Sequence, residues 1–128
     1  MTSRIVSSAS ALVLAALGGV LLFAADELLP RLVPGVQAEA AWIGQVLGAA
    51  WLGLAALNWL SRGSVLGGIY GRPIVMANAV MYFITTTAVV KAPFAGARLA
   101  ACLPVIFAVL YGSLLFRGPF SADRNRQS

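Results

Sequence analysis

Histidine is absent from this sequence, cysteine occurs once, and Asp and Glu together number four. Each scarcity removes a class of chemistry. Metal centres are built from clusters of His, Cys, Asp and Glu, and none of the long apolar runs contains an acid, so no ligand set is legible. A lone Cys102 allows neither an internal disulfide nor a dithiol redox pair, and its place in an apolar run marks it as buried. General acid–base work is left to Asp26, Glu27 and Glu39, which fall between apolar runs and read more simply as a solvated loop. The expectation is a chain without catalytic activity, metal or cofactor.

Charge of either sign is also scarce. Charged residues make up 10% of the 128 positions and hydrophobic residues 60%, against a soluble balance of roughly a quarter and a half. Lys and Arg exceed the acids by nine to four, for a net +5, yet they are scattered between apolar runs and form no block able to track phosphates. Nucleic acid is therefore not an expected partner. The basic excess reads as a membrane-orientation signal.

What the chain has in abundance is apolar length. Ile5 to Ala25 carries no charge, and its 21 residues reach roughly 32 Å as a helix, enough to cross a bilayer core. A cleaved signal peptide is the rival reading, but the run is long for an h-region and its end, Leu22-Phe23-Ala24-Ala25-Asp26, lacks a clean small-x-small site. The segment from Asp26 to Glu39 holds three acids with Pro30 and Pro34, so it is expected to interrupt the helix. It reads either as one or two helical turns in the headgroup layer or as an exposed loop. A second span is expected over 40–61, with Trp42 and Trp59 near its ends where aromatic rings prefer the interface. A third, over 74–90, opens after Pro73, and a fourth covers 99–116. These make one transmembrane domain, 1–117, followed by a polar tail over 118–128. The expected fold is an all-α integral membrane protein, an antiparallel bundle of four transmembrane helices.

Four spans put both termini on one side. That side carries Arg4, Arg62, Arg72, Arg117, Arg124 and Arg126, and the other carries Arg31, Lys91 and Arg98. Basic residues concentrate in the cytoplasm, so the termini are expected there, in a cell (inner) membrane.

Helices in lipid pair through small residues and a few hydrogen bonds. Faces with alternating spacings of four and three run through Ser8, Ala11, Ala15 and Gly18; through Ala41, Gly44, Gly48, Trp51, Ala55 and Asn58; and through Ala97, Ala101, Pro104, Ala108 and Tyr111. The third span carries the most polar face, with Asn78, Tyr82, Thr85 and Thr86. Gly44 and Gly48 fit the close-contact motif, for packing within the chain or between two copies.

Between the second and third spans lies a glycine-rich hinge, Asn58 to Pro73. Asn58 and Asn78 fall at similar depth if these spans run in opposite directions. They are expected either to bond to each other or to hinge carbonyls, with Tyr82 nearby, and hold the glycine-rich loop against the bundle, or to cap their helix ends separately. Arg62 and Arg72 flank the glycines, so Asn58, Arg62, Arg72 and Asn78 form a candidate hinge or lipid-headgroup site. The plainer reading is a tight glycine turn whose arginines obey the orientation rule. The pattern is not a nucleotide P-loop, because the Gly-Lys-Ser or Gly-Lys-Thr step is missing. Tyr82, Thr85 and Thr86 form a candidate polar helix face, although membrane threonines often bond back to their own helix.

Through Asn58 to Pro73 and its four-span layout, the chain resembles small bacterial inner-membrane proteins of the DoxX-like kind, a family that implies a four-helix fold without a settled activity. Small multidrug transporters carry a glutamate in their first helix, and Ile5 to Ala25 has none. The Thr-Phe-Ser-Thr-like motif of small fluoride channels has only a distant echo in Met81 to Thr87. The expected role is an accessory, interaction or lipid-contacting module. Its expected partners are membrane lipids and a protein partner or second copy. The alternative is an oligomeric small-solute or ion transporter or channel subunit, which the lack of charge within the spans disfavours.

Overall fold

Ser3–Leu32, Ala38–Gly63, Arg72–Val90 and Ala97–Phe116 are four helical stretches long and apolar enough to cross a membrane. The computed structural model describes residues 2–63, 71–93 and 95–116, and contains no strand among them. The hinge glycines Gly67 and Gly68, with Val65, Leu66, Ile69 and Tyr70, and the tail with Arg117, Arg124 and Arg126 lie outside the described residues.

Helix α1 runs Thr2–Leu32, α2 Ala41–Leu60, α3 Arg72–Val90, α4 Ala97–Ala100 and α5 Cys102–Phe116. The first helix differs most from expectation. It does not end at Ala25 but bends at Ala24, whose backbone (φ −129, ψ 22) leaves the helical region, and resumes to Leu32 through Asp26, Glu27 and Pro30. The bend has an electrostatic consequence. It starts a new helical piece in which Asp26 and Glu27 occupy the first turn, where carboxylates suit the positive end of the helix dipole. This piece is the pair of helical turns anticipated as one reading of the acidic segment. Pro30 lies near its end and removes a single bond, to the Asp26 carbonyl. The piece stops at Val33-Pro34-Gly35-Val36, where the Val36 amide donates to the Val33 carbonyl at 3.2 Å and Gly35 takes φ 84, as the third residue of a type II turn requires.

A second break has a plainer cause. Pro104 cannot donate to the Ala100 carbonyl, and the fourth span divides into α4 and α5 at Ala101. Gly96, at φ 87, turns the chain into α4 from the α3 end.

α1 packs chiefly on α2, and α3 chiefly on α5. Contacts pair Ser7 with Asn58, Gly18 with Gly48 and Ala25 with Gly44, so numbering rises along α1 as it falls along α2. Glycine makes the approach close: a Cβ on Gly48 would stand 2.7 Å from the Gly18 carbonyl oxygen, and one on Gly18 2.8 Å from that of Gly48. Gly44 gives room to Ala25 and Leu29, which holds the distal piece of α1 against α2. The glycine motif thus works within the chain.

The buried face of α2 is the expected one, through Gly44, Gly48, Ala55 and Asn58, and that of α5 contains Pro104 and Tyr111. The face of α1 is rotated. Ser7, Ser10, Ala11, Leu14, Gly18, Leu21 and Ala25 turn inward, whereas Ser8 is only half-buried and Ala15 is exposed. Cys102 also departs from expectation, since it is exposed on the outer side of its helix. The remaining outward surface is apolar: Phe23, Leu60, Leu99 and Phe116 are 85%, 81%, 79% and 89% exposed.

Candidate functional site

The polar side chains of the interior gather at one end of the helices. α1 supplies Ser7 and Ser10, α2 Asn58, and α3 Asn78, all fully buried, and Tyr82 of α3 joins them at 2% exposure. Tyr111 of α5 is buried completely beside them. An unpaired amide or hydroxyl in apolar surroundings costs several kcal/mol by water-to-hydrocarbon transfer, about 4–8, so each group is expected to find a partner.

The two asparagines do so reciprocally. Asn58 Nδ2 donates to Asn78 Oδ1 and Asn78 Nδ2 to Asn58 Oδ1, both at 2.7 Å. The second proton of each amide is also used: Asn58 Nδ2 donates to Ser10 Oγ at 3.1 Å, and Asn78 Nδ2 to the Ile74 carbonyl at 2.9 Å. All four amide N–H groups are therefore satisfied, and neither side chain caps a helix end. Ser10 Oγ and the Tyr82 hydroxyl share a further bond at 2.7 Å.

The same cluster completes the end of α2. The last carbonyls of a helix lack partners within it, and here side chains supply them. Ser61 Oγ donates to the Leu57 carbonyl at 2.6 Å, Ser7 Oγ to that of Asn58 at 2.8 Å, and Arg62 to that of Trp59 at 2.6 Å. Arg62 also lays its guanidinium 4.0 Å from the centre of the Trp59 ring, a cation–π contact.

On the other side, the Tyr82 ring stacks with those of Phe107 and Tyr111, at centroid distances of 4.9 Å and 5.9 Å. The Tyr111 hydroxyl is an exception to the satisfied set. It is buried beside Ser7 and Ser10 but meets hydrogen-bond geometry with neither. Removing an unsatisfied buried hydroxyl recovers its desolvation penalty, so Tyr111→Phe is expected to raise stability by about 1 kcal/mol. Tyr82→Phe, which removes one of the two partners of Ser10 Oγ and leaves it the bond from Asn58, should lower it by about 1 kcal/mol. Unfolding in mixed detergent micelles checks both, and equal losses from the two would contradict the assignment.

Of the residues singled out from the sequence, Asn58, Asn78 and Tyr82 come together. Arg62 does not join them, because it turns to its own helix end, and Arg72 is exposed at the start of α3. Thr85 and Thr86 do not join them either. Thr86 Oγ1 donates to the Tyr82 carbonyl at 2.8 Å, Thr85 Oγ1 faces Met81 Sδ at 3.5 Å, and neighbouring Thr87 bonds back to Ile84 at 2.8 Å. Ser7 and Ser10 are the members that sequence reasoning passed over. Their signal was spacing: Ser7, Ser10 and Leu14 form a face as regular as the one through Ser8.

Chemically the cluster consists of amides and hydroxyls already engaged with one another. Such groups fasten helices, and none is a base poised near neutral pH. Among the described residues, no three or more His, Cys, Asp or Glu stand close enough to hold a metal ion. Comparison of the chain with protein-family models, with curated proteins and with solved structures finds no match.

Proposed function

We propose that this chain is a multi-pass protein of the bacterial inner membrane, an antiparallel four-helix bundle of DoxX-like layout that acts without catalysis as a lipid-contacting accessory module. The observation that carries the reading is the inversion of polarity. Polar side chains turn inward and bond, while large residues such as Phe23, Leu60 and Phe116 face outward, an arrangement stable only where the surroundings are apolar. The hydrogen-bonded cluster supports a fastening role over a reactive one. Transport finds less support, because the threonines of α3 turn their hydroxyls to their own helix.

Orientation follows from the arginines. Arg4, Arg62 and Arg72 belong to the end that holds the polar cluster, and Arg117, Arg124 and Arg126 follow the last span in sequence on that side, six basic residues against the three of the opposite end, Arg31, Lys91 and Arg98. The first end is the cytoplasmic one by the positive-inside rule, which puts both termini inside. A reporter enzyme active only outside the cytoplasmic membrane should be silent when fused after Ser128 and active when inserted after Gly35. The chain should also stay with membranes washed in alkaline carbonate. Release by carbonate would remove the membrane reading, and the reversed reporter pattern would remove the orientation.

A further inference from the structure

Between α1 and α2, on the outward side, lies a groove of about 340 Å³ whose walls are almost wholly apolar. Ala11, Leu12 and Ala15 form one wall, and Leu52, Ala56 and Trp59 the other. Both walls are laid down by helical spacing. Residues 11, 12 and 15 share a face of α1, and 52, 56 and 59 share a face of α2. The alanines leave the trough, and the larger Leu12, Leu52 and Trp59 give it sides.

Each wall continues, at the same end, into an arginine. On α1 the face runs back through Ser8 to Arg4, in steps of three and four residues. On α2 it passes Trp59, and Arg62 stacks on that ring. Register brings the two arginines to the same level at one end of α1 and α2, because Ser7 bonds to the Asn58 carbonyl and Arg4 lies three residues nearer the end, level with Ser61. The turn Ser61–Gly63 packs against α1 there. Arg4 is exposed, and Arg62 uses one nitrogen on the Trp59 carbonyl, which leaves donors on the guanidinium. The acids among the described residues, Asp26, Glu27 and Glu39, belong to the opposite end of these two helices. No carboxylate of the described residues therefore competes for the pair.

An apolar trough with a tryptophan in its wall and two cations beyond it at the same end fits a molecule with an apolar chain and an anionic head. We propose that the groove seats an acyl chain of an anionic phospholipid of the inner leaflet, with its phosphate held between Arg4 and Arg62. The assignment rests on the membrane reading above and names the lipid class and its place. Guanidinium groups meet phosphate oxygens through paired N–H donors, and the indole at the mouth suits the headgroup boundary.

The test uses the full chain, extracted in mild detergent and examined by native mass spectrometry with phosphatidylglycerol or phosphatidylcholine of identical acyl chains. One phosphatidylglycerol should be retained per chain in preference to phosphatidylcholine. The double variant Arg4→Gln/Arg62→Gln should lower that retention about thirtyfold, since each cation near an anionic lipid surface contributes about 1 kcal/mol. Ala15→Phe, an exposed position in the groove, should displace the lipid of either head without unfolding the bundle. Arg31→Gln/Arg98→Gln, at the other end, should change nothing.

Equal retention of the two lipids, or retention unmoved by both the arginine and the Ala15 variants, would overturn the assignment. So would a lipid-free dimer that Ala15→Phe dissociates, since the groove would then hold a second copy. Failure of the chain to remain in carbonate-washed membranes overturns the membrane reading itself, and is read separately from any lipid preference.

Discussion

Asn58→Leu is expected to lower stability by about 2 kcal/mol, Asn78→Leu by a similar amount, and the double substitution by little more than either alone. The reason is the reciprocal amide pair, with two bonds of 2.7 Å between the same two side chains. Hydrogen bonds between helices in lipid average about 0.6 kcal/mol, with a maximum near 1.7. Asn58 makes three through its side chain, two to Asn78 and one to Ser10, which sets the single-variant scale. Each single change also strands the other amide in an apolar interior, and that penalty vanishes when both are removed. A coupling of about 1.5 kcal/mol is therefore expected from the double-mutant cycle. All three tryptophans lie on α2, so their fluorescence during unfolding in mixed micelles follows the helix that carries Asn58. Simple additivity would show that the two side chains do not act on each other.

Gly48→Ala is expected to be as damaging although it adds one methyl group. Its Cβ would lie 2.7 Å from the Gly18 carbonyl oxygen and 3.0 Å from the Leu22 amide nitrogen. Both obstacles are backbone, so no side chain can swing aside, and the two helices must separate. Overpacking of this kind costs about 1–3 kcal/mol, and here the loss also opens the flanking contacts between α1 and α2. Gly18→Ala meets the same contact from the other side, so the double substitution should cost less than the sum. Gly53 lies on the same helix with nothing within 4 Å of an added Cβ. Gly53→Ala should accordingly gain a few tenths to about 1 kcal/mol from helix propensity. The three variants, compared by thermal unfolding in one detergent, check the packing directly, and equal behaviour of Gly48→Ala and Gly53→Ala would refute it.

The two sites differ in how far the sequence revealed them. The asparagine pair was legible as one of the open readings, because its geometry follows from a hairpin. Two residues about equally far from a turn meet when the helices reverse, and amides in apolar runs need partners. Ser7 and Ser10 were not legible, since Ser8 and Ala15 offer an equally small face. What selects between these faces is distant in sequence: the Gly48 backbone that receives Gly18, and the Asn58 carbonyl that receives Ser7. The acidic segment behaved similarly. Two prolines and three acids argued against a long helix, but Pro30 costs one bond near a helix end, and Gly44 gives room for Ala25 and Leu29 to pack.

The sequence by itself determined that the chain is helical and carries four helices long and apolar enough to cross a membrane, because hydropathy and run length are local properties summed along the chain. It also determined the inward face of α2, and that of α5 in part, since Phe107 is buried there and Ala108 is only half-buried. Only the tertiary structure decided the rotation of α1, its continuation past Ala24 to Leu32, the buried Tyr111 hydroxyl and the apolar groove between α1 and α2. Nearly every face of so apolar a helix is chemically acceptable to an apolar neighbour, so the choice falls to close fit and to the polar partners that neighbouring helices present.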